Sequence, residues 1–368
     1  MTLTQAILTE ARRLGFALVG VTTPDPPPHY QVFEDWLKAG RHAEMAYLES
    51  LRSRQRRSDP RQILPDCRCI LVLGISYPPS LDKPLQNGLP ASVKQDVPGF
   101  TPLRGQIGSY AWQEDYHLWL PHQLKTLVAF IEKQAGKTVS HACYTDSGPI
   151  LERDLAQRAG LGWIGKNTQL INPQYGSFIL LAEILLGIEL EISTPFEADR
   201  CGTCQRCQET CPTACILPNR TLDASRCISY LTIELRSIIP AELRPLIGNW
   251  IFGCDICQQV CPWNRRIFAS GGEKNFSCQS EKLYPDLIEL LTLDAETFSH
   301  RYKNSPIKRA KREGFVRNAV VALGNLLAHN PTHEQRTRAI QALHKAAQSD
   351  PSPLVRAHAA WALDRAGE

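Results

Sequence analysis

Cysteine dominates the chemistry that this sequence can carry. Cys201, Cys204, Cys207 and Cys211-Pro212 form C-x2-C-x2-C-x3-C-P, and Cys254, Cys257 and Cys261-Pro262 form a shortened second copy. Three thiolates spaced in this way wrap one face of an iron–sulfur cube, while the fourth, held off by the longer gap and the proline, reaches the other cluster. The second run lacks its leading cysteine, and Cys227, in the intervening segment, is the natural substitute. The swapped-ligand rule then assigns Cys201, Cys204, Cys207 and Cys261 to one [4Fe–4S] cluster, and Cys211, Cys227, Cys254 and Cys257 to the other.

Two competing readings of thirteen cysteines account for less. Disulfide frameworks belong to small secreted domains, whereas this chain has 368 residues and opens on an amphipathic helix, Met1 to Gly15, whose Arg12 and Arg13 interrupt any signal-peptide core. A reducing cytoplasm is the expected compartment. Zinc motifs pair two dithiols rather than two triplets ending in C-x3-C-P. Cys67, Cys69, Cys143, Cys215 and Cys278 remain, and read as small buried hydrophobes.

A second chemical stretch precedes the cysteines. Asp146-Ser147-Gly148-Pro149 reads as a turn that ends a strand, with a helix from Ile150 onward and Glu152 in its first turn. An acid there either caps the helix or, in a pocket, donates a proton. The loop Gly162 to Asn167, with two glycines, Lys166 and Asn167, suits close backbone approach to a bulky polar ligand. Neither G-x-G-x-x-G nor G-x-x-x-x-G-K-S/T is present, so a nucleotide fingerprint has no support.

These residues need elements to hold them. Phe16–Val21, Cys69–Tyr77 and Ser177–Glu183 have strand character, and Leu118 to Gln134 has helical periodicity, giving residues 1–195 a mixed α/β pattern. Residues 196–270 then form a ferredoxin-like two-cluster domain, and residues 271–368 a helical module. The most apolar stretch, Phe178 to Ile188, is broken by Glu183, so no membrane span is expected.

Net charge is +4, but it is unevenly spread: from Arg301 onward twelve Lys and Arg face five acids, leaving −3 on the rest. A basic tail on a near-neutral body suits a polyanionic partner. The tail repeats A-x-x-A-L at Ala319-Ala322-Leu323, Ala339-Ala342-Leu343 and Ala359-Ala362-Leu363, a spacing of twenty that matches the half-period of HEAT-type helix pairs. Asn330-Pro331 and Asp350-Pro351 punctuate the helices.

Taken together, residues 146–154, residues 158–168, the two cysteine runs and Val316 to Asn325 resemble the epoxyqueuosine reductase family, over a stretch from about Arg57 to the C-terminus. The resemblance implies a cobalamin- and iron–sulfur-dependent oxidoreductase, related in its core to reductive dehalogenases, that completes queuosine synthesis at the wobble base of tRNA. It implies Asp146 as proton donor, a role for which the carboxyl should stay protonated near neutrality, as burial beside the corrinoid favours. It also implies a corrinoid pocket drawing on Arg57, Tyr110, Asp115, Tyr116, His117, Asp146, Lys166, Asn167, Leu170 and Asp255. His117 is read as a pocket or core residue, not a cobalt ligand; Ser109, Gln113 and Leu120 depart from the arginine and two glycines expected at their positions. Contacts to tRNA are expected from Leu151, Glu152 and Arg153 and from Lys308, Arg309, Lys311, Arg312 and Arg317. The remaining expectations are an external donor such as a flavodoxin or ferredoxin, and a monomer. The rival readings are a dehalogenase-like enzyme on a small molecule and a non-catalytic electron carrier; neither needs a basic tail.

Overall fold

The computed structural model describes residues 1–77, 103–269, 284–328 and 331–368; Cys278 and Asn330 lie outside them. The strands are β1 (Leu18–Thr22), β2 (Cys69–Ser76), β3 (Gln106–Ile107), β4 (His141–Tyr144), β5 (Trp163–Ile164), β6 (Leu170–Ile171), β7 (Ile179–Leu186) and β8 (Trp250–Phe252). The first helices are α1 (Leu3–Arg13), α2 (Tyr30–Lys38), α3 (Leu51–Ser58), α4 (Tyr116–Ala135) and α5 (Glu152–Arg158).

The main sheet has the order β1-β2-β7-β4, and every neighbouring pair in it is antiparallel. Strands β2 and β7 are central and covered on both faces, which is why they read as near-continuous apolar runs rather than alternating ones. Leu71, Leu73, Ala182, Ile184 and Leu186 pack towards α1 and α4. The alternate residues Ile70, Val72 and Leu185 pack with Leu155, Ala156 and Ala159 of α5. The period of two puts Glu183, opposite Val72 in the ladder, on the α5 side.

The two-residue strand β3 pairs in parallel with β8, stitching the first half of the chain to the cysteine segment. Trp36 Nε1 donates to the Leu222 carbonyl at 2.6 Å, and the Tyr230 hydroxyl accepts from the Glu44 amide at 2.9 Å. The cysteines themselves sit on or beside four short helices, α6 (Arg206–Thr210), α7 (Ile228–Ile233), α8 (Ile256–Gln259) and α9 (Pro262–Ala269).

The C-terminal region is helical: α10 (Leu287–Leu290), α11 (Ala295–Arg301), α12 (Lys311–Leu327), α13 (His333–Ser349) and α14 (Pro353–Ala366). Each A-x-x-A-L unit falls within one long helix. Small residues set the spacing, since a Cβ on Gly324 of α12 would come within 2.8 Å of the Ala362 methyl of α14. Helix α12 is wrapped on nearly all sides, which is why Arg317 is fully buried. No helix among the described residues is long and apolar enough to cross a membrane.

Candidate active site

Asp146 follows β4 in the turn expected for it, but the helix beyond begins at Glu152 rather than Ile150. Asp146 has φ +55°, in the left-handed region, a conformation that a non-glycine residue holds only when its surroundings impose it. Here the Glu152 carboxylate accepts the Asp146 amide hydrogen. The side chain is gripped from α4: the Tyr116 hydroxyl donates to Oδ2 at 2.9 Å, and His117 Nε2 faces the same oxygen at 3.6 Å. His117 is aligned in turn by Asp115, whose Oδ1 caps α4 by accepting the His117 amide at 3.0 Å and meets Nδ1 at 2.8 Å. Nδ1 is thus bonded to Asp115, and Nε2 is left facing Asp146.

This geometry corrects one expectation. The Asp146 side chain is 67% exposed to the cavity, so partial desolvation acts to raise its pKa, but the interactions with His117 and Tyr116 outweigh it and hold the carboxyl below the usual carboxylate range. The His117 pKa is raised, chiefly by its bond to Asp146 and despite desolvation. At neutrality the proton of this pair thus belongs on the imidazole rather than on Asp146.

Two further acids hold protons, Glu152 on the cavity wall and Glu183 one layer deeper. Glu183 is fully buried with no hydrogen-bond partner on either oxygen, apart from the face it turns towards Glu152. Desolvation, reinforced by the Asp146 charge, pushes the Glu152 pKa up to about 8, and desolvation with Glu152 pushes Glu183 up as well. Sequence reading registered Glu183 only as an interruption of an apolar run. A single acid in the middle of Ile179–Leu186 was the available signal.

Asp146 opens on a cavity of about 1950 Å³, against roughly 300–1,000 Å³ for an ordinary small-molecule pocket. Of the expected site residues, Arg57, Tyr110, Asp115, Tyr116, His117, Asn167 and Asp255 line it, as do Leu151, Glu152 and Arg153. Asp255 is buried and accepts the Ser109 amide at 2.8 Å; burial, partly offset by that bond, raises its pKa to about 6. One wall was not anticipated: Phe33 and Trp36 of α2, together with Tyr47, face the cavity, with the Arg57 guanidinium over the Phe33 ring. Lys308 and Arg309 are exposed at its rim, Arg309 bonded to Glu234 at 2.8 and 2.9 Å.

Five expected contacts lie outside the cavity lining. Lys166 Nζ donates to the carbonyls of Gly202 and Cys204, bracing the first cysteine loop rather than facing the cavity. The Leu170 side chain is packed in the core beneath α5. Arg312 forms a two-pronged bond to Asp350 at 2.7 and 2.6 Å. Arg317, with no exposed surface, donates to the carbonyls of Leu231, Leu235 and Ser237 and so cannot grip a phosphate. Lys311 is exposed but outside the cavity lining.

The cysteines divide in space. Cys211, Cys227, Cys254 and Cys257 face the cavity, and Cys215 is with them. Cys207 instead has Cys201, Cys261 and Cys204 around it, and Cys201 and Cys261 pack with Trp163, Phe196 and Trp263. Trp163 Nε1 reaches Cys201 Sγ at 3.5 Å, and the two indoles meet edge to face at 5.1 Å.

Comparison with known proteins places this arrangement. Residues 57–147 match the family model described as epoxyqueuosine reductase QueG, DUF1730, and residues 200–264 match the 4Fe-4S double cluster binding domain. The chain is 38% identical over 366 residues to an epoxyqueuosine reductase of Pseudomonas aeruginosa, covering all of this chain and 95% of that one. It is 37% identical over 361 residues to the Escherichia coli K12 enzyme, covering 98% and 89% of the two chains. The solved structure of epoxyqueuosine reductase from Streptococcus thermophilus superposes with a TM-score of 0.83 at 28% identity, covering 100% of this chain and 90% of that one. A second, with an epoxyqueuosine-modified tRNA-Tyr stem loop, matches with the same TM-score, identity and coverage. Identity and fold match along the whole length, and the chain belongs to the epoxyqueuosine reductase family.

Proposed function

We propose that this chain reduces epoxyqueuosine to queuosine in tRNA, using Asp146 to deliver a proton and two [4Fe–4S] clusters to deliver electrons. The observation that carries this reading is that Asp146 and the cavity-side cysteines open on the same cavity, in a chain with end-to-end identity to epoxyqueuosine reductases. Removing the epoxide oxygen to leave an alkene consumes two electrons and two protons and yields water. Cys211, Cys227, Cys254 and Cys257 hold the cluster next to the cavity, and Cys201, Cys204, Cys207 and Cys261 hold the outer one, so electrons enter from the outer side. An external flavodoxin or ferredoxin fits as donor.

The cavity suits the corrinoid that the family resemblance implies: it is large enough for a macrocycle with a nucleobase above it. When bound, cobalamin supplies a strongly reducing, nucleophilic metal centre. Tyr110, Asn167, Asp255 and Arg57 are the residues placed to hold it, and His117, bonded to Asp115 through Nδ1 and facing Asp146 through Nε2, is placed for proton delivery. The chain's own task is proton delivery. His117, aligned by Asp115, passes its proton to Asp146, and Asp146 passes it to the departing oxygen while Tyr116 keeps the carboxyl aimed at the cavity.

Lys308, Arg309 and Lys311 fit phosphates of the anticodon stem, while Leu151, Glu152 and Arg153 fit the loop beside the reacting base. In this reading residues 1–195, 196–270 and 271–368 act as corrinoid-binding, two-cluster and HEAT-like RNA-gripping parts of a monomeric cytoplasmic enzyme. The test is expression of the chain in a host lacking its own reductase. Queuosine should replace epoxyqueuosine in the host tRNA, and persistence of the epoxide with clusters and cobalamin loaded would overturn the proposal.

A further inference from the structure

The family role described above uses eight cysteines, and the cavity-side group contains a ninth sulfur that it does not use. Cys215 is 3% exposed, and its Sγ lies 3.5 Å from Cys211 Sγ. It is also within hydrogen-bonding reach of Cys227. The backbone is built to put it there. Cys211 to Ala214 closes a turn, with the Ala214 amide donating to the Cys211 carbonyl at 3.0 Å and Ala214 at φ +50°. The chain then runs into a hairpin closed by the Ile216–Leu222 bridge, and the Asp223 amide donates to the Cys215 carbonyl at 2.9 Å. That hairpin returns Cys227 to the same spot.

A side chain serving only as filler would be equally well replaced by alanine. Two flanking sulfurs that bind iron must be thiolates, however, and a third sulfur between them is tolerated only if it keeps its proton and points it at them. Reduction of a cluster adds negative charge that is shared by its ligand sulfurs. A donor aimed at those sulfurs therefore favours the reduced state and raises the potential.

We propose that Cys215 is not a ligand but a thiol donor to the ligand sulfurs of Cys211 and Cys227, which sets the potential of the cavity-side cluster above that of the same cluster without it. This rests on the ligand sets given under the proposed function. The consequence is directional: the cavity-side cluster becomes the preferred resting place for an electron arriving from the outer one.

The test uses the full chain with both clusters reconstituted, carrying Cys215→Ala, Cys215→Ser or Cys227→Ala, with iron and sulfide content measured and each midpoint potential read by EPR-monitored titration. Cys215→Ala should keep both clusters and shift only the cavity-side midpoint to more negative potential. Cys215→Ser, which keeps a donor, should recover part of the shift, and Cys227→Ala should lose that cluster. An unchanged midpoint in Cys215→Ala, with Cys227→Ala losing its cluster, overturns this inference alone. Loss of a cluster in Cys215→Ala makes Cys215 a ligand and also overturns it. Retention of both clusters in Cys227→Ala overturns the ligand sets and this inference with them.

Discussion

The Tyr116 hydroxyl donates to Oδ2 of Asp146 at 2.9 Å from the first turn of a helix whose next residue, His117, faces the same oxygen. The charge of Asp146 is thus set by α4 rather than by its own loop. Tyr116→Phe removes a hydrogen bond to a charged group, commonly worth about 1.5–3 kcal/mol, and should lower kcat by about 10- to 100-fold with little change in KM. Proton delivery needs protonated His117, whose pKa is raised, so kcat should be full at low pH and fall as pH rises through the folded His117 value. Asp115→Asn removes one cause of that elevation, so the alkaline limb should move to lower pH. A pH–rate profile identical in all three proteins would contradict the relay.

The buried acids make stability depend on pH. The folded values of Glu152 and Glu183 lie above the ordinary glutamate value of 4.5, so the folded chain binds more protons than the unfolded one through that interval. Both contributions are complete below 4.5; that of Glu152 is lost as pH rises through about 8, and that of Glu183 as pH rises through its own raised folded value. Glu152→Gln keeps the shape and the acceptor for the Asp146 amide and removes the need for a proton. Thermal melts taken from about pH 6 to about pH 8.5 should therefore decline in Tm for the natural chain and flatten in the variant. Parallel curves would mean that Glu152 does not hold a proton in the folded chain.

Basic residues of the C-terminal region separate into two kinds. Arg317→Leu strips three carbonyls, two of them buried, of their donor and should cost about 3 kcal/mol or more in a denaturant melt, with tRNA affinity of the folded fraction unchanged. Lys308→Glu and Lys311→Glu should leave stability nearly untouched, weaken tRNA binding, and each reduce the slope of log affinity against log salt by about 0.7–0.9. An intact salt slope would remove these lysines from the interface.

Ligand swapping between the two cysteine runs has a separate readout. Cys261→Ala should cost half the iron and spare the cavity-side cluster, although Cys261 follows Cys254 and Cys257 in sequence. Loss of the cavity-side signal instead would assign each cluster to a single run.

Local spacing carried the parts of the site that were legible in the sequence. The cysteine runs and the Asp146 turn are short-range patterns, and the strands within Cys69–Tyr77 and Ser177–Glu183 emerged because buried central strands are apolar throughout. The site residues that were missed depend on long-range packing. Counting charges treated Arg317 as exposed, yet α12 is enclosed by α7, β8 and α14 and needs a donor for the Leu231, Leu235 and Ser237 carbonyls. Burial alone suggested a protonated Asp146, and only the fold brings Tyr116 and His117 onto its oxygen to reverse that. The wall from α2 to Tyr47 carries no motif, because it contributes shape and aromatic surface rather than a reacting group.

The central claim is that the oxygen leaves across the Asp146 carboxyl. It is tested most directly by mass analysis of nucleosides from epoxyqueuosine-bearing tRNA after a single turnover with the natural chain and with Asp146→Asn, both loaded with clusters and cobalamin. Conversion to queuosine should proceed with the natural chain and slow by about 10²–10⁴-fold in the variant, the range that a positioned proton donor contributes. Equal conversion by the two proteins would contradict the account.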